Sequence, residues 1–213
     1  MNEQEIIKKI TNKKNPNTLL ISPHYDDESL FAFYTLLRYH PKVIIATEAM
    51  SIKERKKRGK YKSCRFTYFK KIKQLDINKI RQQECNNACR VANIKPLFLN
   101  LSTSNMQNFQ SNLLINLTKY QPDLVFAPAL QGGNTDHDAV FIVCSQLWSD
   151  KIIYYSTYNK NSYLINSGIE IKPTKKEIKL KNKALNCYQS QLSSTSVKEY
   201  FSAVRKKSEY WIK

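Results

Sequence analysis

Five short apolar runs separated by stretches of helical spacing constrain this chain more than any other feature. They are Thr18-Leu19-Leu20-Ile21, Lys42-Val43-Ile44-Ile45-Ala46-Thr47, Pro96-Leu97-Phe98-Leu99, Asp123-Leu124-Val125-Phe126-Ala127-Pro128 and Lys151-Ile152-Ile153-Tyr154-Tyr155-Ser156. Runs this short, bounded by polar turns, read as strands, and one without apolar/polar alternation suits a parallel strand covered on both faces. Between them, apolar residues recur at helical spacing: Leu30, Phe33, Tyr34 and Leu37 up to Pro41; Ile80, Cys85, Ala88, Val91 and Ala92 over 77–93; Phe109, Leu113, Leu114 and Leu117 over 106–120; and Ala139, Val140, Val143, Cys144 and Leu147. The alternation predicts an α/β fold: a doubly wound, mostly parallel (Rossmann-like) sheet with helices on both faces. Ile6, Ile7 and Ile10 add a short leading helix. Tyr163 to Ile171 predicts one or two edge strands, and helices are expected at 175–191 and 196–211, the latter carrying Val197, Tyr200, Phe201, Val204 and Trp211. A chain of 213 residues fits a single domain, 1–213.

In an open parallel sheet, sites form at the carboxyl ends of strands near a topological switch point. Two polar turns fall there: Ser22-Pro23-His24-Tyr25-Asp26-Asp27-Glu28 after the first run, and Gly132-Gly133-Asn134-Thr135-Asp136-His137 after the fourth. They hold two of the three histidines, and His40, beside Pro41, reads as a surface or capping residue. Two imidazoles and a carboxylate with an open position form a ligand set that catalytic zinc uses. Taken singly, the first turn has a second reading. Asp26 or Asp27 would cap the following helix, with Glu28 at its positive end.

The five cysteines are odd in number and scattered, which argues against a disulfide framework. Cys85 and Cys89 fall one turn apart on a helix. Two thiolates are too few for zinc, so they read as small apolar residues.

The net charge of +18 raises the question of nucleic acid, but the 35 basic residues are 28 Lys and 7 Arg, which reads as the drift of an AT-rich genome. Nucleic acid is therefore not the expected partner, although a basic surface attracts anions. The basic and aromatic segment 51–73 has two readings, an active-site flap or polyanion patch and a solvated stretch. No apolar run approaches the roughly 18 to 20 residues of a membrane span, and the first residues lack signal-peptide order, so a cytoplasmic protein without a transmembrane segment is expected. A homo-oligomer is compatible with the sequence.

The residues resemble a family. Ser22-Pro23-His24-Tyr25-Asp26-Asp27-Glu28 is similar to the HPDDE signature of the PIG-L/LmbE-like N-acetylglucosaminyl deacetylases, zinc hydrolases of N-acetylated sugars and their conjugates. Arg81-Gln82-Gln83-Glu84 with Ala88 resembles the family's RxxE helix, and Asn134-Thr135-Asp136-His137-Asp138-Ala139-Val140 its HPDHxAV block. Lys183-Ala184-Leu185 with Tyr188-Gln189-Ser190-Gln191 resembles its C-terminal helix. The four blocks occur in order over about 18–191. The resemblance implies that His24, Asp27 and His137 hold Zn2+, that Asp26 is the general base, that Asn134 and Asp136 belong to the catalytic set, and that Arg81 and Tyr25 meet the substrate. Asn134 stands where the family has a histidine, and Tyr25 where it has a proline.

The expected function is zinc-dependent deacetylation of an N-acetylated amino sugar or its conjugate, of the N-acetylglucosamine type. The alternative is a weak or inactive family member that binds a glycan or another anionic ligand.

Overall fold

A computed structural model of the chain describes residues 3–49, 74–159, 166–192, 195–205 and 207–213. The basic segment 51–73, and the part of the expected edge strands in 160–165, lie outside these residues. Seven strands, β1 (Thr18–Ser22), β2 (Lys42–Thr47), β3 (Leu97–Leu101), β4 (Leu124–Pro128), β5 (Ile152–Tyr155), β6 (Ile169–Ile171) and β7 (Glu209–Ile212), form one sheet in the spatial order β3-β2-β1-β4-β5-β7-β6. Neighbours from β3 to β5 pair in parallel, and β7 runs antiparallel to both β5 and β6.

The period of two along each strand deals alternate residues to two cores. On one face Leu20, Val43, Ile45, Phe126 and Ile153 pack under helices α1 (Glu3–Ile10), α2 (Asp27–Phe31), α3 (Phe33–Tyr39), α4 (Gln74–Arg90), α7 (Lys175–Leu185) and α9 (Thr195–Val204). On the other, Leu19, Ile21, Ile44, Val125 and Ala127 meet α5 (Met106–Leu117) and α6 (Thr135–Trp148). Each fully buried Leu, Ile, Val or Phe contributes about 1.5 to 3 kcal/mol, so two covered faces hold the strands firmly. The short α8 (Gln189–Leu192) follows α7.

The chain runs from β1 outward to β3 and returns to β4 on the other side of β1. That reversal puts the switch point between β1 and β4, which pair from Thr18↔Leu124 to Leu20↔Phe126. Both polar turns leave the sheet there.

Three helical expectations are corrected. The single helix expected over 175–191 ends at Leu185, and Gln189–Leu192 forms the separate α8. The helix after the first turn is broken at Ala32, φ −136°, into α2 and α3. A buried ion pair meets the backbone groups that the break exposes: Lys181 Nζ donates to Leu30 O and Glu209 Oε1, both at 2.8 Å, and Glu209 Oε2 accepts from Tyr34 N at 3.0 Å. At the far end, helical spacing stops at Val204. Residues 209–212 form β7, with Glu209 and Trp211 buried and Tyr210 and Ile212 half-buried. Trp211 lies seven residues beyond Val204, about two helical turns, so the spacing alone reads as a continued helix face. Packing against Phe126 (5.1 Å between ring centroids) and Tyr39 (5.7 Å) decides for the strand. His40 closes α3 in the left-handed region, at φ 43°.

Candidate active site

The first turn is built by its own side chains. Asp27 Oδ2 accepts from His24 N at 3.0 Å, folding the turn back on itself. Asp26 stands at the N-cap position of α2, but its side chain makes no capping hydrogen bond. It pairs instead with Arg81 of α4, Oδ2 to Nη2 at 3.1 Å. Capping therefore does not account for the acidic turn.

The second turn brings His137 across the switch point. Its Nε2 lies 3.2 Å from His24 Nδ1 and 3.1 Å from Asp27 Oδ2, while His24 Nδ1 lies 2.9 Å from Asp27 Oδ2. Four donors of a tetrahedral shell at about 2.0 to 2.1 Å stand roughly 3.3 Å apart, so this triangle is slightly contracted around the space a zinc-sized ion takes. Two facing ring nitrogens and a carboxylate oxygen need a cation or a proton between them, and the donor set fits a divalent metal. Asp136 Oδ2 sits 3.0 Å from His24 Nε2, where a carboxylate fixes the orientation and tautomer of the imidazole. Burial alone would depress His24, but the carboxylates of Asp27 and Asp136 outweigh it and raise the imidazole to about 10. Burial likewise opposes ionisation of Asp27, yet His137 and His24 hold it well below the usual carboxylate range. The site attracts positive charge strongly. The His24 side chain, 27% exposed, gives it an open side, whereas Asp27 and His137 are at 5% and 3%.

The other expected residues gather around this triangle in different ways. Arg81 is buried, with its guanidinium 6.0 Å from the Tyr25 ring and 5.9 Å from the Tyr188 ring; its Nη1 has no hydrogen-bond partner among the described residues. Tyr25 is itself buried beneath the site, donating to Asn100 Oδ1 at 3.0 Å. Asn134 caps α6 through Oδ1, which accepts from Asp136 N at 2.9 Å, and its Nδ2 donates to Tyr158 Oη at 3.4 Å. Glu84 turns to Ser190, accepting from its N and Oγ at 2.6 Å each.

Tyr158 is the residue that sequence reasoning missed. Its ring centroid lies 5.3 Å from that of His137 and 5.8 Å from that of Phe31, and burial pushes its phenol well above the ordinary value. The Gly132-Gly133 pair carried the signal. A Cβ on Gly133 would meet Tyr158 O at 2.0 Å, so this glycine lets the second turn lie directly against the segment after β5. Gln131 fastens the same contact, accepting from Thr157 N at 2.6 Å and donating to Ser156 Oγ at 2.9 Å.

Residues 19–148, which hold both turns and the Arg81 helix, match the family described as PIG-L, GlcNAc-PI de-N-acetylase. The chain belongs to the PIG-L family. Membership places it among hydrolytic deacetylases. Solved structures share the fold across most of both chains. The conserved protein TT1542 from Thermus thermophilus is 16% identical, with a TM-score of 0.64 over 93% of this chain and 94% of its own. The A40926 pseudoaglycone deacetylase Dbv21 is 15% identical, with a TM-score of 0.62 over 93% and 97%. GalB, the 4-carboxy-2-hydroxymuconate hydratase from Pseudomonas putida KT2440, is 13% identical, with a TM-score of 0.60 over 91% and 94%. Comparison with curated proteins by sequence gives no match. Among the described residues no helix is long and apolar enough to cross a membrane.

Proposed function

We propose that this chain is a zinc-dependent hydrolase that removes the acetyl group from an N-acetylated amino sugar or its conjugate, of the N-acetylglucosamine type. The observation that carries the reading is the meeting of His24 Nδ1, Asp27 Oδ2 and His137 Nε2 within 3.2 Å of one another. Asp26 lies beside them and takes no part in the triangle. In this reading His24, Asp27 and His137 hold the ion. A bound zinc supplies Lewis acidity, polarising the amide carbonyl and lowering the pKa of water toward neutrality.

The chain's own residues supply the rest. Asp26 takes the proton of the attacking water and returns it to the departing amine. Arg81 holds Asp26 in place and offers Nη1 to a sugar hydroxyl or phosphate. Tyr25 acts through Arg81, as one of the rings that flank its guanidinium. Asp136 fixes the tautomer and orientation of His24. Asn134 Nδ2 and Tyr158 Oη are the neutral donors available to the carbonyl oxygen as it gains charge.

Asn134 also supports a second reading. Its Oδ1 is committed to capping α6, and an amide carries no positive charge, so a family member that binds a glycan without turnover is compatible with the same site. Amine and acetate release from a panel of N-acetylglucosamine conjugates, run with metal-quantified protein, separates the two. The hydrolase reading expects turnover that Asp26→Asn lowers by roughly 10² to 10⁴-fold with zinc retained. Turnover unaffected by Asp26→Asn or by removal of metal would refute it.

A further inference from the structure

Cys85 and Cys89 are one ligand short in the sequence, and the fold supplies a third. Their Sγ atoms lie 3.7 and 3.8 Å from Glu28 Oε1, and the three donor atoms lie within 4.8 Å of one another. All three residues are buried, with no exposed surface. No ion pair among the described residues includes Glu28. Its side-chain donors are neutral: the two thiols and nearby hydroxyls. Ser29 Oγ lies 2.8 Å from Oε1, and Tyr188 Oη donates to the same oxygen. Ser22 Oγ is 3.3 Å from Oε2 but closer to His24 O, at 2.8 Å, where its single proton goes.

With zinc-to-sulfur bonds of about 2.3 Å and zinc-to-oxygen bonds of about 2.0 Å, sulfur and oxygen ligands stand roughly 3.5 Å apart in a tetrahedral shell and roughly 3.7 Å apart in a trigonal one. The observed separations match the trigonal case. We infer that Glu28, Cys85 and Cys89 form a second metal site, separate from the His24-Asp27-His137 triangle, that takes a thiophilic divalent ion of the zinc class. Binding replaces two thiol protons, released to solvent, with one divalent ion. It leaves a net charge of −1, close enough to Arg81 for that guanidinium, itself paired with Asp26, to act on the Cys85 thiol. Tyr188 and Ser29 then act as outer-shell donors that orient the carboxylate. The ion would tie the first turn of α2 to the C-terminal turns of α4, and its burial means that it enters during folding and exchanges slowly.

The inference does not depend on amide hydrolysis. Zinc-edge X-ray absorption of the zinc-loaded wild-type chain is expected to show sulfur scatterers at about 2.3 Å. A first shell of nitrogen and oxygen only overturns the site. For the variant arm, the chain carrying His24→Ala and His137→Ala is refolded with cobalt(II) as the probe. It is expected to hold about one cobalt with a sulfur-to-cobalt charge-transfer band. Adding Cys85→Ala and Cys89→Ala, small apolar replacements, should remove both signals. A band that survives the cysteine changes assigns the sulfur to another cysteine and overturns the proposal. The absorption measurement needs no variant, so misfolding of any of them leaves the test intact.

Discussion

Asp27 and Glu28 are neighbours in sequence, both buried, and meet opposite surroundings. Asp27 faces two ring nitrogens and a backbone N–H, and despite burial its carboxyl is held far down by His137 and His24. Glu28 faces hydroxyls and thiols, and burial pushes its carboxyl up to about 7. What differs is the kind of donor each meets. Donors able to carry positive charge keep one acid ionised at the mouth of the site, whereas neutral donors leave the next one short of a cation.

The largest expected effect breaks the Asp27 side. Asp27→Asn should empty the triangle of zinc and lower hydrolysis by at least on the order of 10⁴-fold, measured by metal analysis and amine release. Full zinc occupancy in that variant would remove the contrast. Next comes Lys181→Met, which leaves Glu209 buried with no cation, as Glu28 is, but without the hydroxyls. It should cost about 3 to 5 kcal/mol in urea denaturation. A cost near that of a surface change would mean that water reaches Glu209.

Tyr158→Phe keeps the ring against His137 and removes the hydroxyl. It should lower kcat by about 10- to 100-fold with KM little changed, roughly 1.4 to 2.7 kcal/mol. An unchanged kcat would leave Asn134 as the donor. The smallest effect concerns a partly buried acid away from both turns. Arg38, at 2.7 Å, holds Glu177 down to about 2. A folded-state pKa below the unfolded value means that the stabilisation is full above about 4.5 and fades as pH falls toward 2. After allowance for solvent screening it is worth about 1 kcal/mol, to be seen as a fall in thermal midpoint over that window which Glu177→Gln abolishes.

The sheet was legible because each parallel strand is a continuous apolar run, and no other local structure uses so short a run between helices. Ala32 was not legible. The break there depends on Lys181 and Glu209, far along the chain, and nothing local in Leu30-Phe31-Ala32-Phe33 announces it. The helix expected to continue to Trp211 failed for a related reason: a spacing of seven reads as a continued helix face, and only packing against Phe126 and Tyr39 decides for the strand. In the site, His24, Asp26, Asp27 and His137 could be found because each lies in a dense polar turn. Tyr158 sits in the ordinary stretch Ser156-Thr157-Tyr158-Asn159, and only the glycines opposite hint at it. Glu28 was read as a helix-dipole residue because sequence does not show that Cys85, Cys89 and Tyr188 close around it.

The break at Ala32 has a consequence for the order of synthesis. The turn bearing His24 and Asp27 emerges early, but the groups that finish its helix, Lys181 and Glu209, lie 151 and 175 positions downstream of the backbone atoms they hold. A nascent chain that has exposed only β1 and β2 carries the acidic turn without its clamp. His24 and Asp27 would take their final spacing only after α7 and β7 have left the ribosome, so the charged turn matures with the last elements of the fold rather than with the first.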